Sequence, residues 1–352
     1  MDNKEQTPQF TDVNKLGEFG LIDKVTSDFR KYHNSTLLGI GDDAAVIDIG
    51  NGYQGITTDM LMEGIHFDVI YSPMRHLGYK SVVVNLSDIY AMNMTPQAIT
   101  VSIAISNRYS VEAVTELYNG IRTACDMYKV DLIGGDTTSN LKGLAISVTA
   151  VGYGNNREEI CFRSGAQKGD ILCVTGDLGA AYLGLQLLER EKQLFLEDNT
   201  IKPDFQNQYY LIERQLKPEA RKDAIEYFNK VKLIPTSMID ISDGLSSDLF
   251  HLCNASGLGA FIEESKVPIH PQAKELALEF NMDPISCALS GGEDYELLFT
   301  VSPEDLEKIK YMPGAYIIGE MVAKEDGVTL HTTGGNIHQV TSQGWNHFNS
   351  KS

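Results

Sequence analysis

Seven aspartates stand where an uncompensated charge is costly. Asp42 and Asp43 follow "GIG", Asp59 closes "GITTD", Asp88 lies in "VVVNLSD", Asp136 follows "LIGG", and Asp240 and Asp243 lie in "MIDISDGL". Each is at the end of an apolar run or inside one, and burying an unpaired carboxylate there is expensive. Lysine and arginine are scarce in the same windows, so a divalent cation compensates better than an internal salt-bridge network. Hard cations take oxygen ligands, and magnesium uses one or two carboxylates together with water and phosphate oxygens. The hydroxyls of Thr57 and Thr58 before Asp59, and of Thr137 and Thr138 after Asp136, suit that shell. Any single aspartate is also open to a helix-cap or Asx-turn role, Asp243 in "SDGL" above all. Repetition of the pattern favours the metal, because capping does not require strand ends.

Magnesium with phosphate normally implies a recognisable cradle. The chain has no GxxxxGK[ST], no kinase-type glycine loop with its lysine, and no strand-borne GxGxxG. Glycines do occur in "GGD" (134–136) and "SGGEDYELLF" (290–299), where backbone is able to approach a phosphate closely. Charge runs such as "EREKQLFLED" read as solvated surface.

At 352 residues the chain exceeds the usual single domain, and two domains sharing a cleft are expected. Residues 44–49 and 54–59 read as strands around an "NG" hairpin turn; a helix follows at 75–92, a strand at 98–106, a helix at 111–128 and a strand at 144–151. The apolar run 130–133 reads as a strand ending in a glycine turn. The polar segment 152–160 divides the chain into 1–152 and 153–352. Beyond it, strands are expected at 171–175, up to 240, 259–263, 296–301 and 316–321, with helices at 179–190, 246–256 and 271–280. The polar region 191–235 is helical in parts and carries no motif. The pattern is α/β followed by α+β.

The net charge of −19, from 29 Lys plus Arg against 48 Asp plus Glu, comes with no basic cluster and disfavours nucleic acid. No apolar run is long enough to cross a bilayer, and "MDNKEQTPQF" does not read as a signal peptide. The five scattered cysteines read as reduced, mostly buried thiols. A cytoplasmic location, with no membrane partner, is the expectation.

In order along the chain, "GIGDDAAVI", "TTDMLMEGIHF", "NLSDIYAMNMTP", "LIGGDTT", "FRSGAQKGD", "VTGDLGAA", "DISDGLSSDL" and "LSGGEDYELLF" resemble the thiamine-monophosphate kinase family of the aminoimidazole ribonucleotide synthetase-like superfamily. The resemblance implies transfer of the ATP γ-phosphoryl group to thiamine monophosphate with several magnesium ions. It implies Asp43, Thr57, Thr58, Asp59, Asp88, Asp136, Asp240 and Asp243 as metal ligands. Tyr118, Gly135, Asp136, Arg163 and Ser242 would contact ATP, and His66, Glu293 and Trp345 the thiamine phosphate. It implies a two-domain fold: a small mixed sheet with helices in 1–152, binding ATP and metal and pairing with a second subunit around a barrel-like centre, and an α+β domain in 153–352 closing the cleft. No general base is expected, since a phosphate monoester, with a second pKa of about 6, is largely doubly ionised at neutral pH. Tyr90 and Asn93 depart from the family's habit of a small residue and a glycine. A regulatory protein that binds nucleotide and metal without turnover is the competing class.

Overall fold

The structure, a computed structural model, describes residues 17–200, 202–205 and 208–341. The chain divides into two compact units, Met1–Asn34 with Trp345–Ser352, and Ser35–Gly344. In the first unit the described element is α1, Gly17–Thr26, whose last turn is tied by Thr26 Oγ1 donating to the Ile22 carbonyl at 2.7 Å.

The second unit opens with β1 (Thr36–Leu38), β2 (Ala45–Asp48), β3 (Tyr53–Met62), α2 (Met74–Ala91), β4 (Thr95–Ile105), α3 (Val111–Tyr128), β5 (Asp131–Ser139) and β6 (Leu144–Gly154). The strands form one open sheet in the order β1-β2-β3-β6-β4-β5, parallel only between β4 and β5. The expected hairpin around "NG" is present, with Asp48 opposite Tyr53. Strand side chains alternate between faces. Leu144, Ile146, Val148 and Ala150 of β6 and Ile99, Val101 and Ile103 of β4 are accordingly buried on the face that α2 helps to cover. No closed barrel exists among the described residues.

Helix α2 is buried around nearly its whole circumference, the mark of a helix enclosed by protein. It packs on β3, β6 and α3 and also reaches the second sheet. Its crossing with α3 depends on two glycines: a Cβ on Gly78 would lie 1.9 Å from the Leu117 carbonyl oxygen, and one on Gly120 1.9 Å from that of Arg75.

The remaining elements are β7 (Ile171–Thr175), α4 (Ala180–Glu197), α5 (Tyr209–Leu216), α6 (Lys222–Val231), β8 (Ser237–Ile241), α7 (Leu245–Ser256), β9 (Gly259–Glu263), α8 (Pro271–Glu279), α9 (Pro284–Ser290), β10 (Glu296–Val301), α10 (Leu306–Ile309), β11 (Ala315–Val322), β12 (Val328–His331) and β13 (Ile337–Gln339). The seven strands order as β13-β12-β9-β11-β7-β10-β8. Every residue of β8 and β10 is buried. Met238, Leu297 and Phe299 join the core shared with α2 and α6, whereas Ile239, Ile241 and Leu298 join a second core with α7.

Three expectations change. β5 does not stop at residue 133 but runs through both glycines and Asp136 to Ser139, paired to β4 and exposed along its whole length. The "EREKQLFLED" run is not simply solvated: Glu191 is buried, salt-bridged to Arg190, and accepts the Asp204 N–H at 2.9 Å, while Lys192 pairs with Asp68 at 3.0 Å. α1, β1, α9, α10, β12 and β13 are additional. The cysteines behave as expected, free, with four buried and Cys125 half-buried.

Candidate active site

Three of the seven aspartates converge. Asp43 comes from the loop after β1, Asp88 from the last turn of α2 and Asp240 from β8, and one carboxylate oxygen from each lies within 4.8 Å of the others. Asp43 is 6% exposed and Asp240 2%. Short hydrogen bonds orient two of them: Thr57 Oγ1 of β3 donates to Asp88 Oδ2 at 2.6 Å, and Ser87 Oγ of α2 donates to Asp240 Oδ2 at 2.6 Å. Neighbouring Asn85 accepts the Asp59 N–H at 3.0 Å and fixes β3 against the helix. Among the described residues, the guanidinium at the cluster is that of Arg163, which donates from its side chain to Asp43 Oδ1 at 2.8 Å and from its backbone to Asp42 Oδ2 at 3.1 Å.

One guanidinium does not neutralise this group. Burial, then the Asp59, Asp240 and Asp43 charges, push Asp88 well above the usual carboxylate range, against the Thr57 hydrogen bond. Burial and the Asp43 carboxylate push Asp240 up to about 8, and the same two causes push Asp42 up to about 7. Asp43 is raised by burial in spite of Arg163. Its Oδ2 is buried without a hydrogen-bond partner among the described residues. An all-oxygen donor set with an orphaned carboxylate oxygen fits a hard divalent cation.

The other expected residues are placed as follows. Thr58 points away from Thr57 by strand alternation, and its hydroxyl donates to the Val148 carbonyl at 3.1 Å, so it does not reach the three aspartates. Asp136 is exposed on β5, paired in register with Ser102, and stands outside the cluster. Gly135 answers to a packing demand: a Cβ there would lie 1.9 Å from the Val101 carbonyl oxygen of β4. Tyr118, Thr137 and Thr138 line a groove of about 1200 Å³ between α3 and β5.

The Ser242 carbonyl accepts the Glu293 N–H at 2.7 Å, joining the loop after β8 to the one before β10. The Asp243 and Gly244 N–H groups both donate to Asp248 Oδ2 at 3.2 Å. Asp248, buried in the first turn of α7, was not singled out from the sequence; its signal was an acidic residue able to reach back to the helix start. Burial and the Asp243 charge push it well above its usual range. His66 Nδ1 accepts the Met62 N–H at 2.9 Å, which puts the proton of the neutral ring on Nε2. Glu293 is ion-paired with Lys80 and accepts from Gln215 Nε2 at 2.9 Å. Trp345 lies outside the described residues. Ser87, Asn85, Lys80 and Gln215 carry no motif in the sequence; the signal on α2 is polar residues in an otherwise apolar helix.

Residues 41–153 match the AIR synthase related protein, N-terminal domain, and residues 167–331 its C-terminal domain. A thiamine-monophosphate kinase of Bacillus subtilis (strain 168) is 34% identical over 340 residues, covering 95% of this chain and 100% of the relative. One from Aquifex aeolicus (strain VF5) is 34% identical over 336 residues, covering 96% and 99%. The solved structure of AaThiL complexed with AMPPCP and TMP superposes with a TM-score of 0.83 at 32% identity, covering 97% of this chain and 100% of that one. With its two sheets, its buried aspartates and relatives matched from end to end, the chain belongs to the thiamine-monophosphate kinase family of AIR synthase related proteins.

Proposed function

We propose that this protein transfers the γ-phosphoryl group of ATP in line onto the phosphate of thiamine monophosphate, giving thiamine diphosphate and ADP, in the cytoplasm and with several Mg²⁺ ions. The observation that carries the reading is the set of buried Asp43 and Asp240 with half-buried Asp88, with an unpartnered Asp43 Oδ2, in a chain whose relatives are kinases of this kind over nearly their full length. The likeness to a structure holding AMPPCP and TMP supports both substrates.

Asp43, Asp88 and Asp240 would hold magnesium, Thr57 and Ser87 fixing two of the carboxylates by hydrogen bonds. Asp59, Asp136, Asp243 and Thr58 are proposed to complete the ligand set around further ions, directly or through water. Bound magnesium supplies charge neutralisation between two polyanions: at 4 Å a pair of like unit charges repels by about 4 kcal/mol at an effective dielectric near 20. The acceptor oxygen is already ionised, so no side chain need remove a proton from it. Arg163, held against Asp42 and Asp43, is proposed to contact ATP, with Tyr118, Gly135, Asp136 and Ser242 as further contacts. His66 Nε2–H, Glu293 and Trp345 are assigned to the acceptor.

Residues 1–152 are proposed as the ATP, metal and dimerisation domain and 153–352 as the domain that closes the cleft. Homodimer formation is supported by β5, a nine-residue edge strand exposed throughout, since long unprotected edges pair. Such pairing would set two six-stranded sheets around a barrel-like centre. The test of function is incubation with ATP, Mg²⁺ and thiamine monophosphate, with thiamine diphosphate sought by chromatography. Product is expected, and its absence under conditions where ATP binds would end the kinase reading.

A further inference from the structure

Lys80 is 4% exposed, and lysines are almost never so buried unless paired. It projects from α2, and its ammonium makes two contacts. It is ion-paired with Glu293 Oε2, and it donates to the Gln215 backbone carbonyl at 2.9 Å. The Gln215 side chain donates to the same Glu293 oxygen at 2.9 Å. Gln215 Oε1 has no hydrogen-bond partner among the described residues, so Glu293 alone sets the orientation of the amide. On the preceding residue of α5, Arg214 donates to the Asp294 carbonyl at 3.2 Å, which secures the peptide one residue beyond Glu293. Glu293 itself has φ 66°, a left-handed conformation that costs a non-glycine residue energy and persists only where the surroundings impose it.

The donors are distributed unequally. Oε2 receives both Lys80 and Gln215, whereas among the described residues Oε1 has only the Tyr295 hydroxyl at 3.4 Å. The side chain is 27% exposed, so it stays accessible while its rotamer is fixed. A carboxylate pinned by one oxygen presents the other, an acceptor-only atom, to whatever donates to it.

We propose that Lys80, with Gln215, is a positioning residue for the phosphoryl acceptor: it pins Glu293 Oε2 so that Oε1 accepts from a hydrogen-bond-donating nitrogen of the acceptor's ring system. This rests on the kinase reading, in which thiamine monophosphate offers an aminopyrimidine. It also gives the motif-free region 191–235 a task, since α5 supplies Gln215 and Arg214.

The experiment compares wild type, Lys80→Met, Gln215→Leu, Glu293→Gln and the Lys80→Met/Glu293→Gln double variant. Assays use thiamine monophosphate and oxythiamine monophosphate, in which a carbonyl replaces the amino donor. Losing a hydrogen bond to a charged group is expected to raise the KM of Lys80→Met for thiamine monophosphate about tenfold or more, with the KM for ATP changed less than about twofold. Discrimination against the oxythiamine compound should fall in the same variant. The double variant should be no worse than Glu293→Gln alone, because the two residues act as one unit. Gln215→Leu keeps the ammonium, should shift the acceptor KM in the same sense by about threefold, and carries the test if Lys80→Met does not fold. Equal effects on both KM values, additive losses in the double variant, or unchanged discrimination overturn the proposal while the kinase reading stands. A wild type that binds ATP yet makes no thiamine diphosphate overturns both.

Discussion

Asp240→Asn should make the metal-free protein more stable and the magnesium-loaded protein less so. Asp240 is buried on β8 and pushed from a usual value of 3.8 up to about 8, chiefly by burial and then by Asp43. A raised value means that folding takes up a proton. The cost is absent below pH 4, grows as pH rises through the window from about 4 to about 8, and is constant above it. At about 1.4 kcal/mol per unit, the interval from 3.8 to pH 7 amounts to about 4 kcal/mol, and less than about 2 kcal/mol remains at pH 5. Asparagine needs no proton and its Oδ1 is still able to accept from Ser87, so the variant escapes this cost. For a chain of this length, about 4 kcal/mol corresponds to a Tm rise of about 5 °C. Excess Mg²⁺ should reverse the order, because wild type gains RT ln(1 + [Mg²⁺]/Kd) and the variant has lost a ligand. The assay is thermal unfolding at pH 5 and pH 8, with EDTA and with Mg²⁺. A variant less stable than wild type in EDTA at both pH values, or one that keeps the full Mg²⁺ shift, would refute the reasoning.

Asp136→Ala, on the exposed strand β5, should lower kcat about 100-fold or more with circular dichroism and Tm unchanged; wild-type turnover would remove Asp136 from the site. Gly78→Ala drives a methyl group to 1.9 Å from the Leu117 carbonyl oxygen and should cost about 3 kcal/mol in urea unfolding, whereas a loss below about 0.5 kcal/mol would mean the helices part freely. Asn93 has φ 54°, and its Nδ2 donates to the Glu159 carbonyl at 2.7 Å. Asn93→Gly should therefore stay within about 1 kcal/mol of wild type and Asn93→Ala cost about 2 kcal/mol, the two being compared in the same denaturant titration.

The sequence disclosed elements where pattern and packing coincide. β7, β9 and β10 match the expected 171–175, 259–263 and 296–301 because each is a short apolar run between turn signals. The end of β5 is not legible in the sequence because an exposed edge strand needs no apolar side chains, and its last six residues, "GGDTTS", look like a turn. Asn93 was legible as a departure from glycine, and its positive φ explains why asparagine replaces it. The acids of the site were visible because a charge at the end of an apolar run is anomalous wherever it occurs. Their grouping was not, because Ser87 and Asp240 meet across 153 positions and Lys80 and Glu293 across 213. No local pattern encodes such distances.

Ser87 and Asp88 are neighbours on α2, yet they serve opposite sheets: Asp88 takes its hydrogen bond from β3 and Ser87 gives its own to β8. The nascent chain therefore cannot complete this centre when its first sheet leaves the ribosome. At ordinary synthesis rates, β8 follows α2 by on the order of ten seconds. Through that interval Asp43 and Asp88 lack Asp240, and one side of α2 lacks the strand that covers it. If the centre takes magnesium as proposed, metal competence comes late in the life of each molecule, and an ion bound at the finished centre would report that both halves have folded.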